Sequence, residues 1–180
     1  MTAPLVFANP PVVETERLIL RVPQASDFEP EAAFLASDRS TGIGGPYPRS
    51  QAFRSFAGLI GHWALRGYGF FALEEKSTGR YMGRVGGWFP EPWPEPEIGW
   101  SVVAEAEGKG YAHEAALAAR RWCYETLGWS TAISLVASDN LRSAALARRM
   151  GCVKEGAWTH PVDGWSADIW RHPGPEAQAA

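Results

Sequence analysis

The sequence is poor in cysteine, in positive charge and in long apolar runs, and each shortage removes a class of protein. Two cysteines among 180 residues, Cys123 and Cys152, cannot build a disulfide framework; both fall in apolar periodic segments, where reduced core thiols are expected. Lys and Arg number 17 against 20 Asp and Glu, a formal charge of -3. The clustered cations that neutralise phosphates are lacking, so nucleic acid is not an expected partner. No apolar stretch approaches the roughly 20 residues of a membrane span. Residues 1–13 lack the charged start and apolar run of a secretory signal, so a cytoplasmic protein with no membrane partner is expected. His62, His113, His160 and His172 show no ligand spacing, and Cys-x-x-Cys does not occur, so no metal is expected.

What is present suits a packed globule. Apolar residues make up 46% and charged residues 21%, enough buried surface to offset the entropy of ordering the chain. The length fits a single domain, read here as residues 1–172, with a disordered tail at 173–180.

Residues 14–22 alternate apolar and polar and stop at Pro23, as a first strand does. Ser26 with Glu29 reads as a capping box opening a helix that carries Phe28, Ala32 and Leu35 on one face. Residues 41–48 hold three glycines and two prolines and read as a loop. Phe53, Phe56, Ile60 and Trp63 then recur at helical spacing up to Gly67. Residues 68–73 and 81–89 read as a hairpin around Lys76–Gly79, and 97–104 as a further strand after a proline at every second position of 90–96. A helix over 110–127, a strand over 132–137, a helix over 141–150 and strands over 152–158 and 168–171 complete the chain. This order predicts an α/β (mixed α+β) domain, a mixed sheet with helices on both faces.

Chemistry is suggested where the strand at 97–104 passes through Glu107-Gly-Lys-Gly-Tyr-Ala112 into a helix. A helix start leaves backbone N–H groups without partners and carries partial positive charge, a place where a pyrophosphate collects several bonds. Gly108 and Gly110 permit close approach and Ala112 keeps the first turn small. On its own, Gly-Lys-Gly reads equally well as a plain strand-to-helix turn. It lacks the Lys-Ser/Thr ending of an ATP loop and the spacing of a dinucleotide fingerprint. In the second segment, 138–152, Asn140 and Ser143 begin a helix, and Asn140 alone is read as its cap.

Thr15-Glu-Arg-Leu-Ile-Leu-Arg21, Gly67-Tyr-Gly-Phe-Phe71, Gly83-Arg-Val-Gly86, Glu97-Ile-Gly-Trp100, Gly108-Lys-Gly-Tyr-Ala-His-Glu-Ala115 and Asn140-Leu-Arg-Ser143 with Met150-Gly151 follow one another in an order that resembles the GCN5-related N-acetyltransferases (GNAT family). The branch it resembles holds the enzymes that acetylate ribosomal-protein N-termini. The resemblance spans about residues 12–160 and implies the GNAT-type acyl-CoA N-acyltransferase fold, with a mostly antiparallel central sheet and acetyl-CoA as co-substrate. By the same resemblance, the strands at 98–103 and 132–137 splay around the pantetheine arm, gripped by backbone at Val102 and Val103. Glu107, Gly108, Lys109, Gly110, Tyr111 and Ala112 surround the pyrophosphate, while Asn140 and Ser143 meet the arm or the adenosine end. Glu107 departs from the Gln or Arg common in the family, and its carboxylate is expected to repel the phosphates somewhat.

Two residues are expected to move protons. Glu97, at the start of the strand beside the splay, is the expected proton acceptor, against the plainer reading of a sheet-edge carboxylate. Ser138 is the candidate acid for the departing thiolate, because the tyrosine many relatives use is replaced here by Ala147; it also reads as a plain helix-entry serine, with water then protonating the thiolate. Glu91, Glu95 and Glu97 with Trp93 make an acidic, aromatic connection suited to a cationic amine such as a peptide N-terminus or a polyamine, or else a solvated stiff loop. A homodimer is left open. The competing readings are a non-catalytic acyl-CoA sensor and a dimerisation module whose nine tryptophans form an apolar patch.

Overall fold

The structure is a computed structural model and describes residue 7 and residues 9–178. Eight strands form one sheet: β1 Val12–Glu14, β2 Leu18–Arg21, β3 Phe70–Glu75, β4 Tyr81–Trp88, β5 Glu97–Val102, β6 Ile133–Val136, β7 Val153–Thr159 and β8 Ser166–Arg171, in the order β1-β2-β3-β4-β5-β6-β8-β7. Every neighbouring pair is antiparallel except β5 with β6. The helices are α1 Phe28–Leu35, α2 Arg49–Arg66, α3 Tyr111–Leu127 and α4 Leu141–Arg149.

Side-chain alternation assigns the two faces. A methyl group added at Gly87 would meet Cys123 of α3 and Trp129, whereas one at Gly99 would meet Phe70, which packs with Phe56 and Leu59 of α2. The expected mixed, mostly antiparallel sheet covered on both faces is therefore what the chain builds. Leu18, Leu20, Phe71, Leu73, Met82 and Val85 are fully buried in the main core. Cys123 and Cys152 are buried free thiols, as expected, and burial pushes them up to about 12 and about 11. Among the described residues, no helix is long and apolar enough to cross a membrane.

Several boundaries shift by one or two residues from the sequence expectation, and three differences have a visible cause. The first strand is two, because Thr15 bonds Leu18 through both backbone and hydroxyl and turns the chain at 15–17. The first helix opens not at Ser26 but through a 3-10 turn, Ala25–Asp27, whose Asp27 carboxylate accepts from Gln24 N–H and pairs with Arg21. Beyond His172, where a disordered tail is expected, the Pro173 carbonyl accepts from the Tyr124 hydroxyl at 2.9 Å and Pro175–Gln178 form a 3-10 turn. Residues 179–180 of that expected tail, and residues 1–6 and 8 of the segment read for a secretory signal, lie outside the described residues.

Candidate active site

β5 and β6 share a single register pair, Glu97 with Ile133, and then part. Ile133 N–H donates to Pro96 O at 3.0 Å, and Ser134 Oγ donates to Ile98 O at 2.6 Å. A buried chain braces this fork: His172 Nε2 donates to Ser134 Oγ at 2.8 Å, and Arg120 donates to His172 Nδ1 at 3.3 Å and to Met150 O at 2.8 Å. Burial, with Arg120 and Arg171 nearby, drives His172 down to about 3, so the ring is neutral at ordinary pH.

Beyond the fork, strand alternation decides which backbone groups face the gap. Ile98 O points to β6, so Trp100 and Val102 do too; Leu135 N–H, opposite, points to β5. Val102, expected to grip the pantetheine arm, therefore turns its backbone to the gap. Val103, expected beside it, does not: its N–H donates to Met82 O and its carbonyl accepts from Ala106 N–H. From the α3 side of the sheet, Trp100 Nε1–H reaches Ser143 Oγ on α4 at 3.3 Å.

At the far end of β5 the chain enters α3 through Gly108 and Gly110, both left-handed with φ of 70° and 80°. Glycine takes this conformation without steric cost. The N–H groups from Gly108 to His113 meet no acceptor among the described residues; the first helical bond of α3 is Glu114 N–H to Gly110 O at 3.1 Å. Such a run of free amides at a helix start can serve as an anion cradle. It is anchored from below. Glu114 accepts from Thr15 Oγ1, Arg17 N–H and Arg17 Nε, and Arg17 Nη1 donates to Lys109 O at 2.8 Å. The Tyr111 side chain turns to Glu75, leaving its backbone to the cradle.

Glu107 corrects an expectation. Its carboxylate is held by Arg39, from the 3-10 segment Asp38–Ile43, and by Arg142 of α4 at 2.6 Å, so its charge is neutralised and not turned on the cradle. The bond from Arg39 keeps the group below the usual carboxylate range. The same segment approaches Asn140, whose Oδ1 caps α4 by accepting Ser143 N–H at 3.1 Å; a methyl group at Gly42 would lie 2.7 Å from Asn140 Nδ2.

Glu97 lies at the fork, only 8% exposed. Oε2 accepts from Trp93 Nε1–H at 2.6 Å and Oε1 from Leu135 N–H at 3.1 Å. Burial raises its pKa to about 7 against the pull of those two bonds. A carboxylate titrating there is balanced between holding and releasing a proton. Ser138, in contrast, is turned away from the gap: its hydroxyl donates to Asp168 of β8 at 3.0 Å, and Asp168 pairs with Lys154 at 2.7 Å. The acidic connection is also less acidic than it reads, since Arg171 grips Glu95 and Arg66 pairs with Glu91. Trp93 as partner of Glu97, Arg39 and Arg142 as partners of Glu107, and the Ser134–His172–Arg120 brace escaped sequence reasoning; each depends on chain turns that have no local pattern.

The family whose model the chain matches, and the solved acetyltransferases that share its fold, make it an acyltransferase. The chain belongs to the acetyltransferase (GNAT) domain family, whose model matches residues 17–153. It is 35% identical to an acetyltransferase from Agrobacterium tumefaciens, the match covering 96% of this chain and 99% of that one with a TM-score of 0.83. A GNAT-family acetyltransferase from Bordetella pertussis follows at 25% identity, covering 90% and 99%, with a TM-score of 0.76. The ribosomal L7/L12 α-N-protein acetyltransferase RimL, in complex with coenzyme A, shares the fold at 16% identity, covering 91% and 98%, with a TM-score of 0.73. The sequence matches no curated protein at a significant level.

Proposed function

We propose that this acetyltransferase takes acetyl-CoA as donor and a primary amine as acceptor, by direct attack within a ternary complex. The observation that carries the reading is the fork with Glu97 at its base and unpartnered amides from Gly108 to His113 at its mouth. The residues present fit the coenzyme: the amides suit its diphosphate, and the gap-facing backbone of Trp100 and Val102, with the Leu135 carbonyl opposite, suits the amides of its pantetheine arm. When bound, the coenzyme supplies an activated acetyl thioester.

The amine nitrogen forms the new bond to the carbonyl carbon as the carbon–sulfur bond breaks. Glu97 accepts the proton that the nitrogen loses, directly or through a water. The Ser138 hydroxyl is committed to Asp168, so the leaving sulfur is protonated from solvent. A base near 7 suits an α-amine, which near pH 8 is already partly neutral, better than a lysine amine near about 10.4. A peptide N-terminus, the acceptor type in RimL's name, or a small α-amine is therefore the acceptor class we favour over a polyamine. The ion pairs on Glu91 and Glu95 support that choice, because they leave little free negative charge for a polycation. Two buried free thiols suit a reducing compartment such as the cytoplasm.

An amine panel assayed by free-thiol release tests the proposal. Peptides with free N-termini should turn over, and their N-acetylated counterparts should not. Turnover with polyamines alone would refute the acceptor class.

A further inference from the structure

The Trp93 ring joins two segments far apart in sequence. It packs against Trp158, His160 and Trp165 with centroids 5.8, 5.9 and 5.7 Å away. Those three rings also touch one another, at 5.2 to 5.5 Å, with His160 stacked on Trp165. All belong to the β7–β8 hairpin. His160 Nδ1 accepts from the N–H groups of Val162 and Asp163 at 3.3 and 3.0 Å, which fixes the ring within the hairpin tip. The four rings pack directly on one another, so this is a buttress rather than a cage. Its one polar contact with the fork is the Trp93 bond to Glu97 at 2.6 Å.

Glu97 has two partners, and they hold different oxygens: Leu135 N–H on Oε1, Trp93 Nε1–H on Oε2. Removal of either would free the carboxyl to rotate. Leu135 N–H is fixed in β6 and pins Oε1, so the side-chain donor on Oε2 sets how the carboxyl is turned about that point.

We propose that Trp93 is a positioning residue for Glu97, and that the aromatic tip of the β7–β8 hairpin holds it in place. The proposal rests on Glu97 being the proton acceptor. Trp93 touches no reacting atom: it occupies one lone pair of Oε2, as Leu135 N–H occupies one of Oε1, and so fixes where the remaining pair on each oxygen points to accept the amine's proton. The indole also favours the ionised carboxylate, so the hairpin tip sets the pH above which the base works.

Trp93→Phe keeps the ring packing and removes the donor. The expected result is a fall in kcat of about tenfold, the cost of a misplaced catalytic group, with the KM for acetyl-CoA unchanged. The acidic limb of kcat/KM moves to higher pH by roughly half to one unit. Trp93→His, which restores a ring N–H, recovers part of both; Trp165→Ala loosens the buttress and moves the limb the same way by less. In the wild-type protein the Trp93 indole ¹⁵N–¹H resonance shifts with the midpoint of Glu97 and stops shifting in Glu97→Gln. A Trp93→Phe enzyme with wild-type kcat and limb, alongside a disabled Glu97→Gln, overturns the positioning role and leaves the base assignment standing. Wild-type turnover and limb in Glu97→Gln remove the base assignment and this proposal with it. If Trp93→Phe does not fold, a wild-type indole resonance insensitive to that titration overturns the role directly.

Discussion

Replacing Glu97 by Gln should stabilise the fold as the pH rises, while disabling the enzyme. In the folded chain this carboxyl titrates near about 7, against 4.5 ordinarily, so the native state binds its proton more tightly than the unfolded state. Stability is then whole below about 4.5 and drains away as pH climbs through about 7. At about 1.4 kcal/mol per pH unit over that interval, wild type gives up about 3 kcal/mol that Glu97→Gln keeps. A pH-independent offset opposes the gain: both partners of Glu97 are donors, and the amide's NH₂ can satisfy neither, at about 1–3 kcal/mol for the donor left over. The diagnostic quantity is thus the change in the difference between the two proteins. Urea unfolding followed by tryptophan fluorescence, from about pH 4 to about pH 8, measures it, since other titrating groups are common to both. Turnover at neutral pH should drop at least about 100-fold in the same variant. Two stability curves that stay parallel across that range would refute the argument that Glu97 is held in a desolvated fork.

Asn140→Ala should cost about 1 kcal/mol of stability through the lost cap on Ser143 N–H, and should raise the Kd for acetyl-CoA in calorimetric titration. Gly110→Val puts a branched side chain at φ of 80°, with its Cβ 3.4 Å from Arg17 Nη2. It should weaken acetyl-CoA binding by more than about tenfold, because the strain of about 1–2 kcal/mol is relieved by moving the amides of the cradle. Unchanged affinity in that variant would remove the cradle from the coenzyme site.

Much of the fold could be read from the chain because its punctuation is local. Gly67, Gly128 and Gly151 end helices in left-handed conformation, and the alternation that proline breaks at 90–96 restarts at Glu97. The turn into α3 is legible for the same reason: Gly108 and Gly110 take its left-handed steps at no steric cost. Pairings were not. Arg39 and Arg142 reach Glu107 from 68 and 35 residues away, and nothing near Glu107 announces that its charge is cancelled. Ser138 reads as lining the gap, but β8, which draws its hydroxyl aside, arrives 30 residues later. Val103 illustrates a finer limit: one residue's step along a strand reverses which neighbour receives its backbone, and a strand end read two residues long hides that parity.

The fork gives the sheet two interior borders. In an unbroken sheet the innermost amides are the last to trade their protons with solvent, but here Trp100 and Val102 sit at the middle of eight strands and lack a rung on one side. They should exchange on the timescale of a peripheral strand while β3 and β4 stay protected. A ligand that fills the fork should slow these two amides first, mending the sheet from its centre outward.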